Sequence, residues 1–429
     1  MSRLSMIGAG YVGLTTGACL AHLGHHVTLV DVDKQRVEGL KAGRMPILEE
    51  GLAEMVAEGV DAGRLSFSVD ATASVADAEF VFLCVPTPRG ADGSADLRFV
   101  RDAARQIGPH LRADAVVVTK STVPVGSAAA VATALGRPDI AVVSNPEFLR
   151  EGTAIYDCMH PDRIVIGGLD VDAAHRVAAL YANLDAPVVI TDPASSETIK
   201  YAANAFLAMK VSFINGIANL CQRVGADVTD VIEGMSYDRR IGGDHLTPGP
   251  GWGGSCFPKD TSALIRLAED HGYDFALLRE VVAANEEQFE HVAARAMAAA
   301  GGVVAGAKIA VWGLTFKAGT DDLRDSPAIA VIRRLRARGA KVAAYDPTRP
   351  DADDPALAGL GLELCDDPYS ACQDATCLVL LTEWPEFAGA DLAKAASSMA
   401  SPALIDGRNL FDPAAARDAG FTYEGIGRR

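Results

Sequence analysis

Hydrophobic positions in the first part of the chain gather into short unbroken runs: Leu4–Ile7, Val27–Val30, Phe80–Val85, Val116–Thr119, Ala141–Ser144 and Ile164–Gly167. Between them, apolar residues recur at the spacing of amphipathic helices. Strand-length runs alternating with helices predict βαβ units and a parallel sheet covered by helices. The right-handed crossover rule then favours a doubly wound sheet. The pattern changes at Asp192-Pro193, where Ser195 or Ser196 can cap a helix that carries Glu197 in its first turn. No proline follows until about Val224, and Gly216 is the only interruption. This long helix is apolar on most of its circumference, with Lys200, Asn204, Asn215 and Asn219 roughly on one stripe. Such a helix is buried, between domains or between subunits. Further helices are predicted over about Thr261–His271 and Phe275–Ala300. A second strand–helix alternation runs through Lys308–Trp312, Lys341–Tyr345, Cys377–Leu381 and Ala403–Asp406. The expected architecture is α/β: two doubly wound domains, 1–192 and 301–429, joined by a helical middle, 193–300, built on a long central helix.

Bulk properties narrow the function. The chain has 429 residues, too many for one core. With 49% hydrophobic and 22% charged residues it is a folded chain, not a disordered one. A net charge of -17 argues against nucleic-acid and anionic-membrane partners, because nothing neutralises phosphates along an extended face. An anionic ligand must then be held locally, by a few Lys or Arg and by backbone N–H groups. The longest apolar runs are strand-length and cannot span a bilayer. Met1–Met6 run straight into a strand pattern, with no signal-peptide signature. Eight cysteines show no CxxC pair and no clustering with His, so neither a metal nor a disulfide framework is expected. Cys19, Cys84 and Cys221 sit in apolar stretches and read as small buried hydrophobes. The expected compartment is the cytoplasm.

Four features bear on candidate chemistry. Gly8-x-Gly10-x-x-Gly13 follows the first strand and opens a helix, as in the first βα turn of a Rossmann-like domain. The glycines permit the tight turn, admit a pyrophosphate close to the backbone and let helix pack on strand. Asp31 ends the second strand, where a carboxylate can hydrogen-bond the adenosine ribose and repel a 2′-phosphate. NAD is therefore favoured over NADP, with Lys34 and Arg36 as the opposing features. The second α/β domain has Gly313-Leu314-Thr315-Phe316-Lys317 in the equivalent loop and is not expected to bind a dinucleotide. Lys317 there either faces a phosphate or sugar or is a solvated loop lysine. The third segment is Gly253-Gly254-Ser255-Cys256-Phe257-Pro258-Lys259-Asp260, behind Pro248-Gly249-Pro250-Gly251-Trp252. Such a stretch is neither helix nor central strand, so Cys256 lies in or just after a constrained loop. A helix beginning around Asp260 or Thr261, together with Lys259, favours a thiolate there. The alternatives are a nucleophile and a buried structural thiol. Lys200 and Asn204 stand one turn apart. They are either two donors for a developing oxyanion or a lysine snorkelling from the helix start with a neighbouring amide.

Over essentially its full length the chain resembles the UDP-glucose/GDP-mannose dehydrogenase family. The matching stretches are Gly8–Gly13 with Tyr11 and Val12, Lys120–Pro124, Asn145–Gly152, Glu197–Asn204, Gly253–Asp260 and Phe316–Pro327. The resemblance is nearest to the UDP-glucose branch. It implies NAD-dependent four-electron oxidation of UDP-glucose at C6, with Cys256 as nucleophile and Lys200 and Asn204 stabilising the alkoxide and later oxyanion. It also implies that Thr122 and Asp260 position water and handle protons, with Glu147 and Glu151 in the same site. Phe148, Leu149, Arg150, Glu151, Gly152, Gly253 and Lys317 would hold the nucleotide sugar with Lys200 and Asn204. Thr87, Thr122, Glu151, Lys259 and Arg324 would join Asp31, Arg36 and the glycine loop on NAD. The middle helices would form a homodimer in which Arg240 reaches the partner's sugar site, and the last domain would bind UDP. Rival readings are the same chemistry on GDP-mannose or a UDP-N-acetylhexosamine, a single-step hydroxyacid dehydrogenase with no use for Cys256, and a silent nucleotide-sugar sensor.

Overall fold

A computed structural model of the chain describes residues 1–90 and 93–428. The chain folds as two compact units, 1–203 with 262–273, and 204–261 with 274 onward.

The first unit holds an eight-stranded sheet: β1 Arg3–Ile7, β2 His26–Val30, β3 Leu65–Ser68, β4 Phe80–Leu83, β5 Val116–Thr119, β6 Ala141–Ser144, β7 Ile164–Gly168 and β8 Val188–Thr191. The order is β3-β2-β1-β4-β5-β6-β7-β8. The strands were expected to be parallel; β7 and β8 depart from this, β7 running antiparallel to β6 and β8 parallel to β7. Phe80 and Phe82 point to one core and Val81 and Leu83 to the other, as do Val116 and Val118 against Val117. Both faces are covered, which is why these strands read as continuous apolar runs.

The second unit holds a six-stranded parallel sheet: β9 Lys308–Trp312, β10 Lys341–Tyr345, β11 Glu363–Leu364, β12 Cys377–Leu380, β13 Ala403–Asp406 and β14 Thr422–Gly425, in the order β11-β10-β9-β12-β13-β14. Four strands were not anticipated: β3, β8, β11 and β14. All four are sheet edges. An edge strand is covered on fewer sides, and Thr-Tyr-Glu-Gly in β14 alternates; β8, Val-Val-Ile-Thr, is apolar but largely exposed and was overlooked.

Five helices position the chemistry: α1 Tyr11–His22, α2 Ser127–Leu135, α3 Pro193–Val224, α4 Phe257–Asp270 and α5 Ala276–Ala299. The start of α3 differs from expectation. Asp192, not Ser195 or Ser196, supplies the cap: it accepts from Ser195 N at 2.9 Å and from Ser195 Oγ at 2.6 Å. Ser196 is buried inside the helix and donates to Ser144 Oγ. Glu197 is not a first-turn acid of its own helix. It reaches across to the N-terminus of α2, where its carboxylate accepts from Gly126 N at 2.6 Å and Ala128 N at 2.9 Å. Helix α4 likewise begins at Phe257, a turn earlier than the sequence suggested. No helix among the described residues is long and apolar enough to cross a membrane.

Candidate active site

The loop between β1 and α1 is shaped by close contact. A Cβ on Gly13 would lie 1.8 Å from the Gly8 carbonyl oxygen, whereas Gly10 faces open space. The loop is thus tight where helix meets strand and open where a phosphate must approach. Asp31 stands at the end of β2, nearly buried, with Oδ2 accepting from Ala9 N at 2.9 Å and from Arg36 Nη1 at 3.0 Å. Arg36 therefore neutralises Asp31 instead of presenting an unpaired cation to a 2′-phosphate. These residues fit NAD: an open N-terminus of α1 for the pyrophosphate and a strand-end carboxylate for the ribose.

In the loops after β4 and β5, Thr87 donates its hydroxyl to the Thr122 carbonyl at 2.8 Å, joining two residues predicted to share the cofactor. Glu147 and Lys200 form a buried ion pair: Glu147 Oε1 accepts from Lys200 Nζ at 2.8 Å and Oε2 from Leu149 N at 2.7 Å. Burial would raise the Glu147 carboxyl, but Lys200 and the Leu149 N–H outweigh it and hold it below the usual carboxylate range. The Lys200 ammonium also sits 5.3 Å from the Phe148 ring centroid, with the Arg163 guanidinium 3.6 Å from the same ring. Lys200 is thus a buried, paired lysine and not one snorkelling to solvent. Arg150, expected to bind the sugar, is tied by its guanidinium to Asp157 at 2.5 Å, and its N–H donates to the same carboxylate. Lys120, in the Lys120–Pro124 stretch, is a second buried lysine. It donates to Asn145 Oδ1 at 3.1 Å, which also accepts from Tyr181 OH at 2.8 Å.

In the second unit, Cys256 is half-buried and immediately precedes α4, with Ser255 Oγ 3.6 Å from its Sγ. The loop before it is held by contact: a Cβ on Gly253 would lie 2.0 Å from the Asp325 carbonyl oxygen. Asp260 is fully buried one turn after Cys256; its N–H donates to the Cys256 carbonyl at 2.9 Å. Its Oδ2 accepts from Asn204 Nδ2 at 2.6 Å, and its Oδ1 takes the Lys259 ammonium. Arg324 pairs with Asp322 at 2.7 Å, Lys317 Nζ stands 5.5 Å from the Phe316 ring centroid, and exposed Arg240 pairs with Asp238 at 2.6 Å.

Sequence reasoning missed the polar side chains that build the loop before Cys256. Asn285 and Gln288, on the otherwise apolar buried face of α5, bind Trp252 and Gly249, and Asn215 of α3, noted in the sequence only as part of a polar stripe, accepts from Gly249 N at 2.8 Å. Trp252 Nε1 donates to Ser212 Oγ at 2.9 Å. The available signal was uncharged amides where apolar residues belong. The second sheet carries a comparable strand-end acid. Asp346, at the end of β10 as Asp31 is at the end of β2, has Oδ2 occupied by Leu314 N at 2.6 Å and Thr315 N at 3.1 Å, and Oδ1 by Thr348 N and Oγ1.

A strand-end acid beside an open glycine turn fits a domain that binds NAD. Three consecutive segments then match known domains: an NAD binding domain over residues 2–185, a central domain over 194–287 and a UDP binding domain over 310–413. The chain belongs to the UDP-glucose/GDP-mannose dehydrogenase family. It is 48% identical over 436 residues to the UDP-glucose 6-dehydrogenase of Rhizobium meliloti, covering 99% of each chain. It is 44% identical to a UDP-glucose 6-dehydrogenase of Bacillus subtilis, covering 100% of this chain and 94% of that one. The solved UDP-glucose dehydrogenase of Pyrobaculum islandicum superposes with a TM-score of 0.91 at 39% identity, over 100% of this chain and 98% of that chain.

Proposed function

We propose that this enzyme oxidises the C6 alcohol of UDP-glucose to the carboxylate in two successive two-electron steps through Cys256. The observation that carries the reading is Asp260, buried one turn after Cys256 with Asn204 and Lys259 on its two oxygens. A buried acid held this way beside a half-buried thiol suits a nucleophile whose product must be hydrolysed. The 48% and 44% identities to UDP-glucose 6-dehydrogenases support the choice of sugar.

Two NAD molecules, bound in turn, would each supply the acceptor for one hydride. Lys200 and Asn204 donate to the C6 oxygen as its proton passes to the water held by Thr122 and Asp260, and Glu147 is the counter-ion of buried Lys200. The Cys256 thiolate adds to the aldehyde carbon, forming a C–S bond and a thiohemiacetal. Loss of the second hydride leaves a thioester. Water held by Thr122 and Asp260 attacks the thioester carbon; the C–S bond breaks, the thiolate leaves and the water proton passes to Asp260. Glu151 joins this proton-handling set and the NAD side with Thr87, Lys259 and Arg324. Phe148 to Gly152, Gly253 and Lys317 hold the nucleotide sugar.

The working form is a homodimer built on α3, with Arg240 reaching the partner's sugar. Phe206, Phe213 and Leu220 are 58%, 53% and 53% exposed and recur every two turns along that helix, an apolar stripe that solvent does not favour. Sedimentation should give a dimer; a stable, active monomer at micromolar concentration would refute it. Eight free cysteines suit the reducing cytoplasm. The test of the reaction is stoichiometry: two NADH are expected for each UDP-glucose consumed. A ratio near one, with free aldehyde in solution, overturns the covalent route.

A further inference from the structure

Glu49 belongs to none of the motifs above. It lies in the loop before the helix Leu52–Asp61, yet it is nearly buried. Its carboxylate is fully engaged. Oε1 accepts from Ala154 N at 2.6 Å, and Oε2 accepts from Gly152 N at 2.7 Å and from the Tyr11 hydroxyl. Tyr11 Oη in turn accepts from Gly152 N at 3.2 Å. One side chain thus ties together two segments far apart in sequence: the residue that opens α1 behind the glycine loop, and the turn at 150–154.

The burial of a carboxylate is costly unless its hydrogen bonds compensate, and three donors on two oxygens do so here. The placement is specific as well as satisfied. Glu151 is bracketed by it: Arg150 on one side is fastened to Asp157, and Gly152 on the other is fastened to Glu49. Gly152 has φ +82°, so this turn follows a path that few side chains permit. The Glu151 charge is felt at Tyr11, whose phenol burial, then the Glu49 hydrogen bond, push far above its usual range. Apolar contacts between the same segments would exclude water equally well without setting the turn's position to a fraction of an ångström.

We propose that Glu49 is a positioning residue for Glu151, registering the 150–154 turn against Tyr11 and so against the NAD loop. This rests on the reading that Glu151 serves the reaction. Glu49→Gln cannot replace it, because either orientation of the amide turns an NH2 toward a backbone N–H.

The test is a double-mutant cycle on UDP-glucose oxidation. Glu49→Gln is expected to lower kcat about 10²-fold, the cost of a misplaced catalytic group, with KM for UDP-glucose changed by less than about threefold. In a Glu151→Gln background the same substitution should cost less than about threefold, because the group it positions is gone. If the two effects multiply, Glu49 is merely structural and the proposal is overturned. Tyr11→Phe, which keeps both backbone bonds, covers the case in which Glu49→Gln does not fold. Its smaller loss of kcat should likewise vanish in the Glu151→Gln background, and a loss that persists there overturns the proposal. Unaltered enzyme that fails to oxidise UDP-glucose would instead overturn the functional reading, and this proposal with it.

Discussion

Asn285 holds both backbone hydrogen-bonding groups of Trp252: its amide oxygen accepts from Trp252 N at 2.8 Å and its amide nitrogen donates to Trp252 O at 2.9 Å. A side chain here does the work of a neighbouring strand, for a loop whose prolines and glycines leave it no strand to pair with. Asn285→Leu strands two buried backbone groups and should cost about 2–4 kcal/mol of unfolding free energy. Asn285→Asp keeps the acceptor and loses the donor. Urea unfolding of the two variants should rank them, and equal stability to the unaltered chain would show that the loop is held by packing alone.

The Glu147–Lys200 pair makes a different prediction. Glu147→Gln leaves Lys200 buried without its counter-ion, a loss of about 3–5 kcal/mol at pH 7. The folded-state carboxyl lies below its ordinary 4.5, so the pair's contribution is present above that value and lost as pH falls through the folded one. The stability gap between unaltered and Glu147→Gln protein should therefore shrink as urea titrations move from pH 7 to below pH 4.5. A gap that is constant with pH would mean the pair contributes through shape and not charge.

Asp31 should govern cofactor choice. Asp31→Ser removes the ribose acceptor and releases Arg36 from its ion pair, so NAD binding should weaken and NADP use should rise. The measurement is the ratio of kcat/KM for the two cofactors. Unaltered enzyme that used NADP as well as NAD would show that Arg36 dominates the pocket.

Cys256→Ala should leave the fold intact and reduce acid formation by orders of magnitude, more than the about 10²–10³-fold lost with one oxyanion donor such as Lys200 or Asn204. A slow first oxidation can survive, since it needs no nucleophile. Thiol reagents should inactivate the enzyme through Cys256, and bound UDP-glucose should protect it. Cys377, whose thiol burial pushes up to about 12, should stay unreactive in the folded chain. Near-full acid production by folded Cys256→Ala would require a hydrated-aldehyde route.

The sequence by itself determined the central strands of both sheets, the long helix and the glycine loop with Asp31. Each is a local pattern: β4 and β5 are apolar because both faces are covered, and the glycine spacing is dictated by one turn. The same locality hid the edge strands, which need no such run. It also left Lys200 ambiguous between an oxyanion donor and a snorkelling side chain. Tertiary structure removed the snorkelling alternative, because Glu147 comes from the loop after β6 and a buried lysine is tolerated only where its counter-ion is brought to it. It also decided Arg36, which points inward to Asp31, and Glu197, which caps α2 rather than its own helix. Glu49, Asn285 and Gln288 were invisible beforehand for one reason. A polar side chain in a loop or on the apolar face of a helix has no local partner, and its role exists only once folding delivers backbone N–H and C=O groups from distant segments to its oxygen and nitrogen atoms.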